Sequence, residues 1–491
     1  MDYISCPCVD RIVYSEVTMI DLTTLKKQIG DKPVAVFGLG ISGLAAVECF
    51  VKNDVDCHVW DDNETNRLKA QEIGAKLVQF EEDGLDGYAF VLLSPGIPLY
   101  FPEPHRVVEK AHEAGVEIIG DIEVLERSGH GRNVIAVTGT NGKSTTTALI
   151  GHILKENNVP CVVGGNIGVP ALSLPLPKDK EGWLVLETSS YQLDLCQTFR
   201  PDIAILLNLS PDHIDRHGTV ENYANAKMRI FQNGSDSAIV GVDDKISKEI
   251  VEKLDDENSG VGRIIRISVK TDISGGVYQV DGSLHDAAFE EEEREVGKLS
   301  SFRNLPGMHN RQNILAAYSA ARLVGIEPED ILQAIETFEG LPHRLYLVKA
   351  INGIAYVNDS KATNIDAAKR ALSAYKKIYW ILGGRPKSDG LEGAEEYLER
   401  VRHAFLIGEA SEEFASWLEK RGVSYTMCGT LDKAVSEAHD KAQSERGEPG
   451  GAGTVLLAPA CASFDQYGSF EERGSHFVDL VLGLQTAEDQ V

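Results

Sequence analysis

The chain has 491 residues, 43% of them apolar and 25% charged, with a formal net charge of −27. That length suggests about three domains of roughly 150 residues, and the charge argues against sequence-blind nucleic-acid binding, which needs a basic face. No apolar stretch approaches the ~20 residues that span a bilayer, and the N-terminus lacks a basic flank and an apolar core, so neither a membrane nor a signal peptide is expected. Eight scattered cysteines, including Cys6-Pro7-Cys8, read as reduced thiols of a cytoplasmic protein. Residues 1 to about 19 read as a loose extension, and Glu290 to Glu293 with Glu295 as a solvated acidic loop.

The spacing predicts a strand over 33–37, then Gly38-Leu39-Gly40-Ile41-Ser42-Gly43, a helix over 44–52, and a second strand over 56–60 ending at Asp61. A G-x-G-x-x-G run after a strand, with an acid about twenty residues on, specifies a Rossmann-like βαβ unit. It does not choose the ligand, since any nucleotide diphosphate can sit on that helix N-terminus. A third strand, 89–93, enters Ser94-Pro95-Gly96-Ile97-Pro98, either a plain turn or part of a crevice lining. A strand over 116–120 and a helix over 121–127 follow, with a Gly-rich break at 128–132. The first domain is expected to be 1–121.

The second domain, expected over 122–341, opens on a buried strand, 134–137, and the loop Gly139, Thr140, Asn141, Gly142, Lys143, Ser144, Thr145. Backbone N–H groups of such a loop cradle phosphates, its lysine reaches the outer phosphates, and its Ser can ligate Mg²⁺. The usual spacing would put glycine where this chain has Val137, so the loop is a shorter variant. A helix is expected over 146–154, a strand over 160–163 and a glycine loop over 164–168 containing Asn166. The strand 183–186 ends in Glu187-Thr188-Ser189-Ser190, where a carboxylate beside a phosphate loop suits Mg²⁺ and a hydroxyl suits a helix cap. A strand over 203–207 runs into Asp212-His213. A helix over 224–231 holds Lys227, which composition places in solvent. Residues 241–300 are strand-like and carry little chemistry. Asn310 and Asn313 open a helix over 311–324, and Pro328 begins another.

The third domain is expected over 342–491. Alternating strands and helices predict a parallel doubly wound sheet, with Asp359, Lys361 and Thr363 after a strand over 355–357, Arg385 and Lys387 after one over 379–382, further strands at 405–407 and 455–457, and Ser463 to Arg473 last. Lys361, Lys387 and Arg473 read as a cationic set at strand ends, suited to a carboxylate. The Gly/Glu run 444–453 reads as a surface insertion. The fold class is α/β: a Rossmann-like N-terminal domain, a central P-loop mononucleotide-binding domain and a Rossmann-like C-terminal domain. Such a set suits an ATP-driven joining enzyme. A dehydrogenase would leave the phosphate loop idle, and a plain NTPase would need only the middle domain.

The runs Gly-Thr-Asn-Gly-Lys-Ser-Thr (139–145), Gly-Gly-Asn-Ile-Gly (164–168), Glu-Thr-Ser-Ser-Tyr-Gln-Leu (187–193), Asp-His-Ile-Asp-Arg (212–216), Pro-His-Arg (342–344), Asn-Asp-Ser-Lys-Ala-Thr-Asn (358–364) and Pro-Ala-Cys-Ala-Ser-Phe-Asp-Gln-Tyr (459–467) occur in this order. With them the chain resembles the Mur ligases of peptidoglycan synthesis over nearly its whole length. The resemblance implies ATP-dependent amide formation between UDP-N-acetylmuramoyl-L-alanine and D-glutamate through an acyl phosphate, by a cytoplasmic monomer using Mg²⁺, two ions in all. It implies catalytic roles for Lys143, Glu187, His213 and Lys227, with metal held by Ser144, Glu187, His213 and a carbamylated Lys227. It also implies ATP contacts from the 139–145 loop and from Asn310, Asn313, Arg344 and Asp359. Leu39, Ser42, Asp61, Ser94, Pro95, Gly96 and Asn166 would meet the UDP-sugar substrate, so the glycine-rich corner would hold a UDP sugar and not NAD. Lys361, Thr363, Lys387, Ser463 and Phe470 would line the D-glutamate pocket, with Arg385 and Lys387 both open as partners of its carboxylate.

Overall fold

The computed structural model describes residues 17–488 apart from 132, 178–180, 257–258, 291, 300–301, 303–304, 306, 387–389 and 448–451. Cys6, Cys8 and Lys387 therefore lie outside the described residues. The chain divides into two compact units, one of residues 1–302 with 308–338 and one of residues 303–307 with 339–491.

The first unit contains two α/β sheets. Its five-stranded sheet is parallel throughout, in the order Lys76–Leu77, Cys57–Trp60, Val34–Phe37, Val91–Leu93, Ile118–Ile119. Val34–Phe37 is buried at all four positions, as a central strand covered on both faces must be. The helix after it spans Ile41–Lys52, three residues earlier than expected. The end of the glycine run is itself the first helical turn, and position 43 must be glycine because a Cβ there would lie 1.9 Å from the Gly38 carbonyl oxygen.

The nine-stranded sheet runs Arg294–Lys298, Ser283–Asp286, Val277–Val280, Val261–Ser268, Ser235–Gly241, Ile203–Leu206, Val134–Thr138, Trp183–Glu187, Cys161–Gly165. Val134–Thr138 is buried at all five positions and lies between two parallel partners, Ile203–Leu206 and Trp183–Glu187. Strand C-termini on both sides of it therefore open onto one crevice, the place where open α/β sheets bind ligands. The span 241–300 is more regular than its composition suggests. It holds a helix, Lys245–Leu254, and strands that extend this sheet. The acidic run within it is partly engaged: Glu290 pairs with Arg322 at 2.9 Å and Glu293 with His285 at 3.0 Å. The N-terminal extension is also tied down from Val17, since Val17–Thr18 pairs antiparallel with Leu176–Pro177 and Ile20, Leu22 and Leu25 are buried.

The second unit has a six-stranded sheet in the order Tyr346–Ile351, Ile354–Asn358, Thr454–Leu457, Ile378–Gly383, Val401–Ile407, Tyr425–Gly429, parallel except for the first pair. Apolar clusters on its two faces hold Trp380 and Leu456 on one side and Tyr379 and Val455 on the other. The half-buried edge strand Tyr425–Gly429 and the helices Ser411–Glu419 and Leu431–Ser444 have too weak a strand pattern and too polar a surface to stand out from sequence alone.

Candidate active site

The phosphate cradle begins where Val134–Thr138 ends. Gly142 adopts φ +87°, and a Cβ there would stand 2.2 Å from Asn313 Oδ1 and 3.1 Å from Leu207 Cδ1, so only glycine fits. Gly142 also occupies the N-cap of the Lys143–Glu156 helix, where it offers no side chain to the first N–H groups. Those donors and the helix dipole point at the loop, which suits a polyphosphate. Lys143 folds back over the loop, its Nζ donating to the Gly139 and Thr140 carbonyls at 3.0 Å each. Ser144 is 3% exposed. Asn208, at the end of the neighbouring strand, clamps the loop. Its Oδ1 accepts from Asn141 N at 2.9 Å, its Nδ2 donates to Asn141 O at 3.2 Å, and its carbonyl accepts from Thr140 N at 2.9 Å. Asn310 and Asn313 are both buried and joined by a 3.0 Å hydrogen bond, so the Met308–Val324 helix brings both to the cradle.

A titratable cluster lies beside the cradle. Glu187 ends the Trp183–Glu187 strand; its Oε1 accepts from Asn166 Nδ2 at 2.8 Å, while its Oε2 is buried with no hydrogen-bond partner. Lys227 is 1% exposed, which corrects the placement in solvent suggested by composition. Its Nζ lies 3.4 Å from Thr138 Oγ1 and 4.8 Å from the centre of the Tyr223 ring. Burial first, and then the Lys143 charge, push the Lys227 amine well below the ordinary lysine range, against the pull of Asp212 and Glu187. His213, at φ +52°, has its Nδ1 hydrogen-bonded to Tyr191 Oη at 3.0 Å and its Nε2 3.6 Å from Asp212 Oδ2. Burial lowers its pKa, with Lys143 and Lys227 adding to the shift and Asp212 opposing it. Lys143, Glu187, His213 and Lys227 thus share one field. Tyr223 closes the cluster, donating from Oη to Thr140 Oγ1 at 3.1 Å.

The donor set fits a hard divalent cation. A buried carboxylate oxygen without a partner is costly unless something positive completes it, and Glu187 supplies one. Among the described residues no three His, Cys, Asp or Glu side chains converge as a closed metal cage. An ion here would therefore draw further oxygen ligands from Ser144, phosphate and water, as Mg²⁺ does at phosphoryl-transfer sites.

At the Rossmann-like corner, Leu39 N donates to Asp61 Oδ2, and Ser94 Oγ donates to Gly38 O at 2.6 Å. Asp61 therefore braces the glycine loop, its other oxygen accepting from Asn63 N at 2.7 Å. The Leu39 side chain is in the core and its backbone N–H is taken by Asp61. Ser42 lies in the first turn of its helix, while Pro95 and Gly96 are at the surface.

In the second unit, Asp359 is 8% exposed and accepts from Leu345 N at 3.2 Å. Burial raises its pKa to about 7, against the pull of Arg344 and Arg370. Lys361 Nζ sits 3.8 Å from the centre of the Phe470 ring, Ser463 is buried, and Thr363 is half-buried. Arg385 is half exposed and paired with Glu409 at 3.5 Å. Arg473 corrects the sequence reading. It lies on the Phe470–Glu488 helix, not at a strand end, and its guanidinium is buried against Ser360, Cys461 and Ala462.

Three family models match the chain in sequence order: Mur ligase MurD-like, N-terminal domain, over residues 32–120; Mur ligase middle domain over 137–321; and Mur ligase, glutamate ligase domain, over 343–461. The chain belongs to the Mur ligase family. Relatives of this Mur ligase include the UDP-N-acetylmuramoylalanine–D-glutamate ligase of Phenylobacterium zucineum, 45% identical over 91% of this chain and 95% of the relative. Proteins of the same name match from Caulobacter vibrioides, 45% identical over 92% and 96%, and from Rhizobium johnstonii, 46% identical over 95% and 97%. The fold is that of solved Mur ligases. UDP-N-acetylmuramate-alanine ligase from Thermotoga maritima has a TM-score of 0.55 at 18% identity, covering 92% of this chain and 99% of that one. MurF from Acinetobacter baumannii has a TM-score of 0.56 at 16% identity, covering 94% and 100%.

Among the described residues of this Mur ligase, no helix is long and apolar enough to cross a membrane. The side chains missed from sequence are Asn208, Tyr191 and Tyr223. Asn208 carried one usable signal, a polar residue at the end of an apolar strand next to the crevice. The two tyrosines carried none, because their contacts are tertiary.

Proposed function

We propose that this Mur ligase joins D-glutamate to UDP-N-acetylmuramoyl-L-alanine in the cytoplasm, acting as a monomer whose domains are 1–121, 122–341 and 342–491. The γ-phosphoryl group of ATP passes to the alanine carboxylate, giving an acyl phosphate and ADP. The amine of D-glutamate then attacks the acyl carbon, phosphate leaves with the C–O bond's electrons, and the amine proton is released. A carboxylate needs this activation because it is a poor electrophile, and phosphoryl transfer itself is mostly positioning and charge neutralisation. The observation that carries the reading is the convergence of Lys143, Glu187, His213 and Lys227 at a phosphate cradle, in a chain about 45% identical to ligases of this name over more than nine-tenths of its length.

In this reading Gly139 to Thr145 hold ATP, with Asn310, Asn313, Arg344 and Asp359, and Lys143 neutralises charge on the outer phosphates. Ser144, Glu187, His213 and Lys227 would hold Mg²⁺, two ions in all, and the bound ions would screen the phosphate charge that otherwise repels the carboxylate. Lys227 serves as its carbamate: the neutral amine adds to CO₂ and loses a proton, so a cation becomes a carboxylate-like oxygen donor. Leu39, Ser42, Asp61, Ser94, Pro95, Gly96 and Asn166 take the UDP-sugar, while Lys361, Thr363, Lys387, Ser463 and Phe470 take D-glutamate.

The deciding measurement is phosphate release from ATP by the purified enzyme. It should require UDP-N-acetylmuramoyl-L-alanine and D-glutamate together. Equal turnover with L-glutamate or diaminopimelate would overturn the substrate assignment.

A further inference from the structure

The amino-acid pocket proposed above is built on loops that follow three parallel strands, Ile354–Asn358, Ile378–Gly383 and Thr454–Leu457. One side chain ties these loops together. Arg473 is 1% exposed. Its Nε donates to Ser360 Oγ at 2.9 Å, its Nη2 to Ser360 O at 2.9 Å and Cys461 O at 3.2 Å, and its Nη1 to Ala462 O at 3.4 Å. Ser360 Oγ in turn donates to Phe470 O at 2.8 Å, which closes a ring back to the start of the arginine's own helix. The third loop abuts the same group. Arg385 N donates to Ala462 O at 2.9 Å, and a Cβ on Gly384 would lie 2.3 Å from Ala462 O and 3.2 Å from Arg473 Nη1.

Burying a guanidinium costs several kcal/mol unless its donors are satisfied, and here four of the five N–H donors meet three main-chain carbonyls and one hydroxyl. A side chain so placed is occupied with geometry and does not reach for a substrate. Only the planar five-donor fork of arginine serves several acceptors in fixed directions at once; a lysine ammonium on a flexible stem cannot. The residues next along the chain are the pocket's own: Lys361 follows Ser360, Ser463 follows Ala462, and Phe470 opens the helix that carries Arg473.

We propose that Arg473 is a positioning residue for the amino-acid substrate: without touching it, the guanidinium holds the 359–363 and 460–463 loops in register so that Lys361, Thr363, Ser463 and Phe470 form one pocket. This rests on the reading that the C-terminal unit takes D-glutamate. Burial lowers the pKa of Arg473 to about 10, which still leaves it charged, and able to donate from every N–H, at neutral pH.

The test uses the full-length enzyme with Arg473→Lys and Ser360→Ala, the three substrates varied in turn, and amide hydrogen exchange read by mass spectrometry. Arg473→Lys should raise KM for D-glutamate roughly ten-fold or more and leave KM for ATP and the UDP-sugar within about two-fold. Exchange should quicken over 359–363 and 460–463 while the strand Val401–Ile407 keeps its protection. Ser360→Ala, which removes only the hydroxyl, should shift the same KM in the same direction by less. A folded Arg473→Lys enzyme with unchanged KM for D-glutamate overturns the proposal, as does one in which all three KM values and kcat change together. Should Arg473→Lys fail to fold, Ser360→Ala decides alone, and an unchanged KM overturns the proposal. Wild-type enzyme inert towards D-glutamate would instead overturn the substrate reading; loop exchange unchanged in Arg473→Lys would then still count against the positioning role.

Discussion

Lys227 is held away from water by Tyr223 and the end of the Val134–Thr138 strand, and among the described residues no carboxylate stands within ion-pair distance of its amine. A buried ammonium without an ion-pair partner is one of the costlier groups a protein can carry, so burial pushes the Lys227 amine down, in the direction of the neutral form that reacts with CO₂. In the proposed reaction the orphaned Glu187 Oε2 and a carbamate on Lys227 would both be oxygen donors to Mg²⁺, which would supply the positive charge that the buried carboxylate lacks. Lys227→Ala is expected to lower kcat by about 10²-fold or more, as loss of a charge-stabilising group does. If the proposed carbamate is there, added short-chain carboxylic acids should restore part of that loss by supplying a carboxylate in its place. A Lys227→Ala enzyme with unimpaired kcat would remove the carbamate from the mechanism.

At the scale of elements, the chemistry collects where strands end. What could be read from sequence follows from that. The 139–145 loop was legible because a phosphate cradle needs its glycines, lysine and hydroxyls in one contiguous run, and the Rossmann-like corner was legible for the same reason. Lys227 was not, because the helix Val220–Met228 looks polar in composition and its burial is decided by Tyr223 and Thr138, the latter 89 residues away. Arg473 was misassigned because its charge suggested a substrate and its partners, Ser360 and Cys461, are 113 and 12 residues distant. Asp359, just past the strand Ile354–Asn358, shows what such placement does to the sheet unit that holds it. Its folded pKa of about 7 exceeds the ~3.9 of an unfolded aspartate. Between these values the native state binds a proton that the unfolded state has released. The stability contribution is therefore fully present below about pH 4 and is lost as pH rises through about 7. Asp359→Asn keeps the oxygen that accepts from Leu345 N and removes the titration. In chemical unfolding the variant should gain on wild type by up to a few kcal/mol between about pH 5 and pH 8. A constant gap across that range would mean Asp359 is ionised throughout.

For the whole molecule the governing number is the net charge of −27, set against substrates that are all anions in the proposed reaction. In that reaction Lys143 and Lys361 would act at contact distance, where local cations outweigh a distant net charge. Several ångströms beyond the surface the summed field is that of a strongly negative body, and it opposes the approach of a UDP-sugar or ATP. The two effects respond oppositely to salt: screening weakens attraction if the local sites dominate encounter and relieves repulsion if the net charge does. Because the Debye length falls from ~30 Å at about 10 mM salt to ~8 Å at about 150 mM, the long-range repulsion is the component that salt removes, while contact pairs inside the crevice are screened far less. The expectation is that kcat/KM for UDP-N-acetylmuramoyl-L-alanine rises about two- to ten-fold over that range, with kcat nearly flat, since screening changes the encounter and not the chemistry. Steady-state rates in NaCl at fixed free Mg²⁺, with sucrose as an uncharged control, measure this. A kcat/KM that falls with salt would show that local cations such as Lys143, and not the acidic exterior, govern how this enzyme meets its substrates.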